Sequence, residues 1–127
     1  MSHNVLAQKI AEMQTVCEEI NAPPWLFEEL RTPKSVAKRK FRVIVDGAPR
    51  VFTVIRVHHI NPFSTGACPY KGGLRFHPAV NESLLTALAM DMTEKCILAG
   101  LSFGGAKGGI ALDRNLLSPL DLRHVTE

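Results

Sequence analysis

Apolar side chains recur every three or four positions near the start of the chain, with charged and amide side chains between them. They are Val5, Leu6, Ile10, Met13, Val16, Cys17 and Ile20. This period is typical of an amphipathic helix that packs one face on a core. The pair Pro23-Pro24 follows Asn21, so we expect the helix to end near Asn21.

A second, shorter apolar pattern covers residues 25–30, started by proline and stopped by Pro33. Proline fits the first helical position and ends a helix that runs into it, so the pattern predicts a short helix. We expect its aromatic residues Trp25 and Phe27 to pack on the core of the domain, with packing on a second subunit as the alternative.

The clearest predicted element is a β-hairpin. Two β-branched and aromatic runs, residues 41–45 and 51–58, flank the turn signal Asp46-Gly47. Both runs are apolar on both faces over part of their length. Such strands are usually covered on both sides, as in a layered α/β structure, and we expect the same here.

A basic run leads into this hairpin and consists of Lys34, Lys38, Arg39, Lys40 and Arg42. Such a run can bind nucleic acid. Aromatic residues are not interleaved with it, and acidic residues elsewhere leave a net charge of only +3. We therefore interpret the run as a solvated connector to a strand, and we predict no nucleic-acid partner.

A longer helix is predicted after Asn81, which is a suitable N-cap with Glu82 in the first turn. Steps of three and four then place several side chains near one face: Leu84, Leu88, Asp91, Met92 and Lys95. Lys95 is thus expected on the apolar stripe. It either pairs with Asp91, extends its stem along the stripe, or points half-buried toward a ligand.

Two glycine-rich segments decide between these alternatives. Residues 70–78 place Lys71 beside Gly72 and Gly73, and residues 103–110 place Lys107 among four glycines. Glycine allows unusual backbone conformations and close approach to the main chain, and a lysine in such a loop suits an anion. Lysines grouped in this way predict a site for a small dicarboxylic or amino acid, with Lys95 directed at it.

The second segment does not match known nucleotide-binding patterns. A P-loop needs lysine after its last glycine and then serine or threonine, and the spacing of G-x-G-x-x-G is also absent. We therefore expect no nucleotide at this segment. A strand at residues 110–112 and a helix capped by Ser118, with Pro119 in its first turn, are predicted to follow.

The bulk composition fits one soluble intracellular domain. The chain has 127 residues, of which 46% are hydrophobic and 21% charged. Its cysteines are odd in number and widely spaced, which favours a reducing cytoplasm. No apolar run is long enough for a membrane, and the polar start is not a signal peptide.

Metal and thiol chemistry are not indicated. His58, His59, Cys68 and His77 match no zinc spacing, and adjacent histidines on a strand point to opposite faces. Cys68 also has no identifiable partner base. We predict no metal site and no cysteine nucleophile.

From about Val5 to its end the chain resembles the N-terminal domain of the glutamate/leucine/phenylalanine/valine dehydrogenase family, and within it most resembles glutamate dehydrogenases. The similarity is sharpest at residues 71–78, 92–95 and 103–109, and residues 56–59 are similar to the family's Arg-Val-Gln-His. The resemblance implies an α/β fold with a layered mixed β-sheet flanked by helices. It also implies that residues 1–127 form a single substrate-binding and dimerisation domain, without the nicotinamide-binding Rossmann domain.

The resemblance also implies the role of each site residue. Lys107 matches the catalytic lysine, Lys71 the lysine that meets the substrate's side-chain carboxylate, and Lys95 the lysine that binds its α-carboxylate. Gly72, Gly73 and Met92 are the remaining substrate-binding residues expected from the matched motifs. Two departures concern the site entrance: residues 60–69 form a longer loop, and Ala67-Cys68-Pro69 replaces the family's Gly-Pro.

The activity implied is that of an NAD(P)-dependent glutamate dehydrogenase, which converts L-glutamate to 2-oxoglutarate and ammonia. NAD or NADP would be bound by the complete enzyme, a cytoplasmic homo-oligomer, and residues 1–127 alone would be inactive. The alternative is a stand-alone, non-catalytic module of this family that binds a carboxylate or oligomerises.

Overall fold

The computed structural model describes residues 4–62 and 69–127. The helices are α1 Val5–Glu19, α2 Pro24–Arg31, α3 Glu82–Leu98 and α4 Pro119–Thr126, with one 3₁₀ turn at Arg114–Leu116. The strands are β1 Ser35–Val45, β2 Ala48–His58, β3 Tyr70–Lys71, β4 Leu74–Phe76 and β5 Gly104–Ile110.

These strands form one mixed sheet with β5 at its centre. β1 pairs with β2 and β2 pairs with β5, both antiparallel, whereas β3 and β4 run parallel to β5 along its other edge. Helix α3 packs on β5 and β2, α1 and α2 lie beyond α3, and α4 contacts β1. The predicted α/β architecture, a layered mixed sheet flanked by helices, is confirmed.

A hydrophobic cluster lies on each face of the sheet. One cluster contains Val45, Phe52, Ile110, Leu112 and Val125, and the other contains Ile55, Val57, Val80, Leu85 and Ala89. The second cluster is the interface between the sheet and α3. Strand β5 therefore lies between two apolar layers, which sequesters its backbone from water.

The prediction of a glycine loop at residues 104–109 is wrong, because this segment is the central strand. None of its glycines has a positive φ, so they are not there for turn conformations. A Cβ on Gly109 would lie 2.6 Å from Val80 Cγ1, and one on Gly105 would overlap Thr93 and the Ala89 carbonyl. Glycine therefore allows α3 to approach the strand closely. The further strand predicted at residues 110–112 is the end of β5, which stops at Ile110.

The predicted hairpin is confirmed, and its turn residues Asp46 and Gly47 both have positive φ, as the tight hairpin turn requires. Its strands are longer than predicted. The expectation that both are covered on both sides is wrong for β1, where Ile44 is 54% exposed. The basic residues at 38–42 are exposed as expected, but they belong to this edge strand rather than to a connector.

Helix α3 begins as predicted, with Asn81 Oδ1 accepting from the Leu84 N–H at 2.8 Å. Its buried side, however, is rotated from the predicted stripe and consists of Leu85, Thr86, Ala87, Ala89, Met90, Thr93 and Cys96. Lys95 is exposed, so its predicted half-burial is wrong. The stripe is misplaced because the apolar pattern leaves out small and polar residues, and two of these, Ala89 and Thr93, pack against Gly105.

The two N-terminal helices are confirmed, and α1 contacts α3 through a cluster of charged side chains. Lys9 Nζ lies 2.9 Å from Asp91 Oδ1 and 2.7 Å from Glu94 Oε2. Burial opposes the charge on Lys9, but hydrogen bonds to the two carboxylates raise its pKa above the usual value. Core packing of Trp25 is wrong, since its side chain is 65% exposed, whereas Phe27 is half-buried.

Candidate functional site

Two of the predicted site lysines project from the same face of the sheet. Lys71 pairs with Gly105 in the parallel β3–β5 ladder, so the two residues share a face. That face is the one covered by α3, because a Cβ on Gly105 would meet Thr93. Lys107 follows Gly105 by two residues on the same strand and therefore also projects toward the α3 side.

The two glycine segments predicted to form one site are adjacent. The Gly108 N–H donates to the Gly73 carbonyl at 2.9 Å. Lys107 Nζ lies 3.5 Å from the place where a Cβ on Gly73 would be, and a Cβ on Gly72 would overlap the Ala106 carbonyl. The half-buried Lys107 side chain thus extends directly to the first glycine segment.

The third lysine belongs to α3 at the same end of the sheet. Thr93 Oγ1 accepts from the Gly105 N–H at 3.1 Å, which places this turn of α3 over the residue that pairs with Lys71. Met92 is half-buried and Lys95 is exposed on the flank of this turn. The alternative ion pair of Lys95 with Asp91 is wrong, because Asp91 pairs with Lys9.

The charge of the site is uncompensated within the described part of the chain. None of the ammonium groups of Lys71, Lys95 and Lys107 forms a salt bridge with a carboxylate of residues 4–62 or 69–127. Cations grouped without counter-ions attract an anionic ligand and gain from binding one.

A buried hydrogen-bond network that the sequence analysis does not predict supports this end of β5. His59 Nδ1 lies 2.8 Å from Thr93 Oγ1, and His59 Nε2 lies 2.5 Å from the Leu30 carbonyl. The carbonyl can only accept, so Nε2 carries the proton and Nδ1 accepts from the threonine hydroxyl. Burial lowers the pKa of His59, although the bond to Leu30 opposes this shift. Thr93, a polar residue within a buried helix face, is the signal that could have indicated the network.

Strand β5 does not have the structure of a phosphate-binding glycine loop. Phosphate-binding glycine loops present free backbone N–H groups at the start of a helix. In β5 the N–H groups of Gly104, Gly105 and Gly108 already donate to protein oxygens, and the strand is not followed directly by a helix. Strand β5 therefore lacks the free N–H groups of a phosphate-binding glycine loop.

Other chemistries have little support in residues 4–62 and 69–127. No group of three or more His, Cys, Asp and Glu side chains could hold a metal there. His58 and His59 do lie on opposite faces, the first stacked on Tyr70 and the second bonded to Thr93. Cys68 lies outside the described residues, as does most of the longer loop. Within the same part of the chain, no helix has the length and hydrophobicity to span a bilayer.

A separate apolar cleft of about 440 Å³ lies between α1, α2 and α3. It is lined by Met90 and Ile97 on the side of α3 away from Met92, and by none of the predicted site residues. The cleft is therefore distinct from the lysine site.

The fold is an α/β domain with a central glycine strand, and Lys71 and Lys107 project from the same face of its sheet. The model of the Glu/Leu/Phe/Val dehydrogenase dimerisation domain matches residues 33–127, and the chain belongs to this family. The matched segment includes every predicted site residue.

Individual relatives agree with this assignment. The chain is 35% identical over 122 residues to glutamate dehydrogenase A2 of Halobacterium salinarum, covering 95% of this chain and 28% of that protein. It superimposes on the crystal structure of the Peptoniphilus asaccharolyticus glutamate dehydrogenase with a TM-score of 0.88 at 34% identity, covering 98% of this chain and 30% of that one. The hetero-hexameric Thermus thermophilus enzyme, in its Leu-bound form, gives 0.82 at 34% identity, covering 94% and 28%. The chain thus spans less than a third of these relatives.

Proposed function

We propose that residues 1–127 are the substrate-binding and dimerisation domain of an NAD(P)-dependent glutamate dehydrogenase. The reaction would be oxidative deamination of L-glutamate to 2-oxoglutarate and ammonia. The observation that supports this most directly is the convergence of Lys71 and Lys107 on one sheet face, with the Lys107 ammonium beside Gly73. The family assignment supplies the reaction class.

In this proposal the two outer lysines bind the two carboxylates of the substrate. Lys71 receives the side-chain carboxylate, and Lys95 receives the α-carboxylate from the flank of α3. Exposure of both side chains is consistent with a site that is open before substrate enters. Gly73 leaves room beside Lys107, and Gly72 allows the first glycine segment to lie against the Ala106 carbonyl. The half-buried Met92 provides an apolar wall for the substrate's methylene groups.

Lys107 is the catalytic residue of the proposal. Its half-buried position and its place between the glycine segments direct the amine at the reacting carbon and away from bulk water. There it would help a water molecule attack the imino acid by transferring protons, which is the usual task of a general acid–base group.

The remaining parts of the enzyme follow from the family. Because β5 is not a phosphate-binding loop, we propose that a second domain binds the nicotinamide cofactor and that this chain alone is inactive. NAD is favoured, since relatives from Clostridioides difficile and Peptoniphilus asaccharolyticus are NAD-specific enzymes. We also propose a cytoplasmic homo-oligomer in which this domain contributes subunit contacts.

The direct test uses the product of the whole gene. We expect an open reading frame beyond codon 127 that encodes a Rossmann domain, and glutamate-dependent reduction of NAD or NADP measured by absorbance. Residues 1–127 expressed alone should self-associate in light scattering and show no turnover. A stop codon after residue 127, with carboxylate binding but no reduction, would replace the proposal by the stand-alone module.

A further inference from the structure

Two side chains of β2 cross the central strand on the face opposite the lysines. In the β2–β5 register Arg56 pairs with Gly108 and His58 pairs with Ala106. Paired residues of an antiparallel ladder share a face. Lys107 lies between these β5 residues in sequence and points to the α3 side, since side chains alternate along a strand. Arg56 and His58 therefore lie on the face of β5 opposite α3, which we call the rear face. The face that carries Lys71 and Lys107 is called the substrate face.

Arg56 crosses β5 to reach the backbone between β3 and β4. Its Nη1 donates to the Gly72 carbonyl at 3.2 Å and to the Gly73 carbonyl at 3.4 Å. The path passes over Gly108, where an added Cβ would lie 3.4 Å from Arg56 Cδ. The missing side chain at position 108 leaves space for this crossing, and the guanidinium provides a charged donor, which strengthens such hydrogen bonds.

His58 makes a second crossing, onto Tyr70. The two rings are stacked, with centroids 4.4 Å apart and planes 6° from parallel. Tyr70 pairs with Gly104, and a Cβ there would lie 2.5 Å from the tyrosine ring. Burial and the charge of Arg56 both lower the pKa of His58, so the imidazole is neutral near pH 7 and packs as an aromatic ring.

The two crossings hold the chain immediately before and after Lys71. We propose that Arg56 and His58 are positioning residues that fix residues 70–73 against β5 from the rear face, so that Lys71 is presented in one position on the substrate face. The consequence for substrate binding rests on the proposed function. The mechanical claim, that Arg56 and His58 hold residues 70–73 against β5, is independent of that function.

Amide hydrogen exchange on residues 1–127 tests the mechanical claim. The Gly108 N–H donates to the Gly73 carbonyl and therefore reports on the segment that Arg56 is proposed to hold. The Ala111 N–H donates to the Thr53 carbonyl and reports on the contact with β2, on the other edge of β5. Arg56→Met keeps an apolar stem and removes the guanidinium. We expect exchange at Gly108 to accelerate by about tenfold or more, with Ala111 unchanged. The matched control is Arg42→Met, at an exposed position of β1.

Two results would overturn the inference. Unchanged exchange at Gly108 would show that Arg56 does not hold the segment. An equal acceleration at Gly108 and Ala111 would show that the residue acts through overall stability instead.

A ligand pair tests the consequence for Lys71. 2-Oxoglutarate and 2-oxopentanoate share one carbon chain, but only the former has the distal carboxylate that Lys71 is proposed to bind. We expect His58→Ala to weaken the binding of 2-oxoglutarate by about two- to tenfold in calorimetric titration. The affinity for 2-oxopentanoate should be unchanged. His58→Phe, which keeps an aromatic ring, should restore the preference for 2-oxoglutarate, and His124→Ala in α4 is the control.

Equally weakened binding of both ligands, or no rescue by phenylalanine, would contradict the positioning role. A wild-type chain that binds neither ligand would instead count against the proposed function, and the exchange experiment would still decide the mechanical claim.

Discussion

Strands β1 and β5 belong to one sheet but differ in almost every respect. β1 has 11 residues, large and basic side chains, and one long exposed edge. β5 has seven residues, four of them glycine, and all but Lys107 are buried. The edge strand β1 presents large side chains to solvent, whereas the central strand β5 has few side chains and its backbone is packed closely by neighbouring elements. Lys107, the proposed catalytic lysine, belongs to the central strand.

The largest difference between the two strands is expected in kcat, when a lysine is removed from each of them. In the complete protein, Lys107→Ala should lower kcat by about 10²–10⁴-fold, because a general acid–base group is lost. Lys40→Ala on β1 is the control and should leave kcat unchanged, since its side chain is exposed and β2 separates β1 from β5. Turnover of Lys107→Ala close to wild type, in a folded protein, would remove Lys107 from the mechanism.

Adding a methyl group to each strand should show the difference in packing. Gly105→Ala should destabilise the domain by about 2–3 kcal/mol, since the new Cβ would overlap Thr93 and the Ala89 carbonyl. Ala37→Val, at an exposed position of β1, should change stability by less than about 0.5 kcal/mol. Urea denaturation measures both. Equal midpoints for Gly105→Ala and wild type would contradict close packing as the reason for glycine.

The smallest predicted effect concerns pH. His58 and His59 both have pKa values lowered from 6.5 in the folded chain, chiefly by burial. The unfolded chain therefore takes up protons first as the pH falls, so the stability contribution of the neutral rings is complete above about pH 6.5 and decreases below it. Urea midpoints should fall between about pH 7 and pH 5. His59→Gln should reduce this dependence, and an unchanged slope would contradict a buried neutral imidazole.

The sequence predicted the peripheral elements better than the centre. The hairpin was found because β-branched runs and Asp46-Gly47 are local signals, and α1 and α3 were found from their spacing and from the Asn81 cap. Strand β5 was missed because glycine has low strand propensity, and its strand conformation is imposed by pairing with β2, β3 and β4. The buried face of α3 was misplaced because two of the residues that contact the glycine strand, Ala89 and Thr93, are small and do not belong to the apolar pattern.

The site was predicted in part. The two glycine segments were expected to meet, and they do. The half-burial of Lys95 was wrong because the helix phase was wrong. The crossings by Arg56 and His58 were not predicted, because they depend on register across three strands, which no local pattern encodes.

Lys71 is proposed to receive the side-chain carboxylate of the substrate. The measurement that tests this role most directly is the ratio of kcat/KM for glutamate to kcat/KM for leucine in the complete protein, before and after Lys71→Leu. A lysine facing a hydrocarbon chain would be desolvated without a partner, so glutamate should be preferred. The substitution should then lower the ratio by about a hundredfold or more. A wild-type preference for leucine, or a ratio unaffected by Lys71→Leu, would contradict this role.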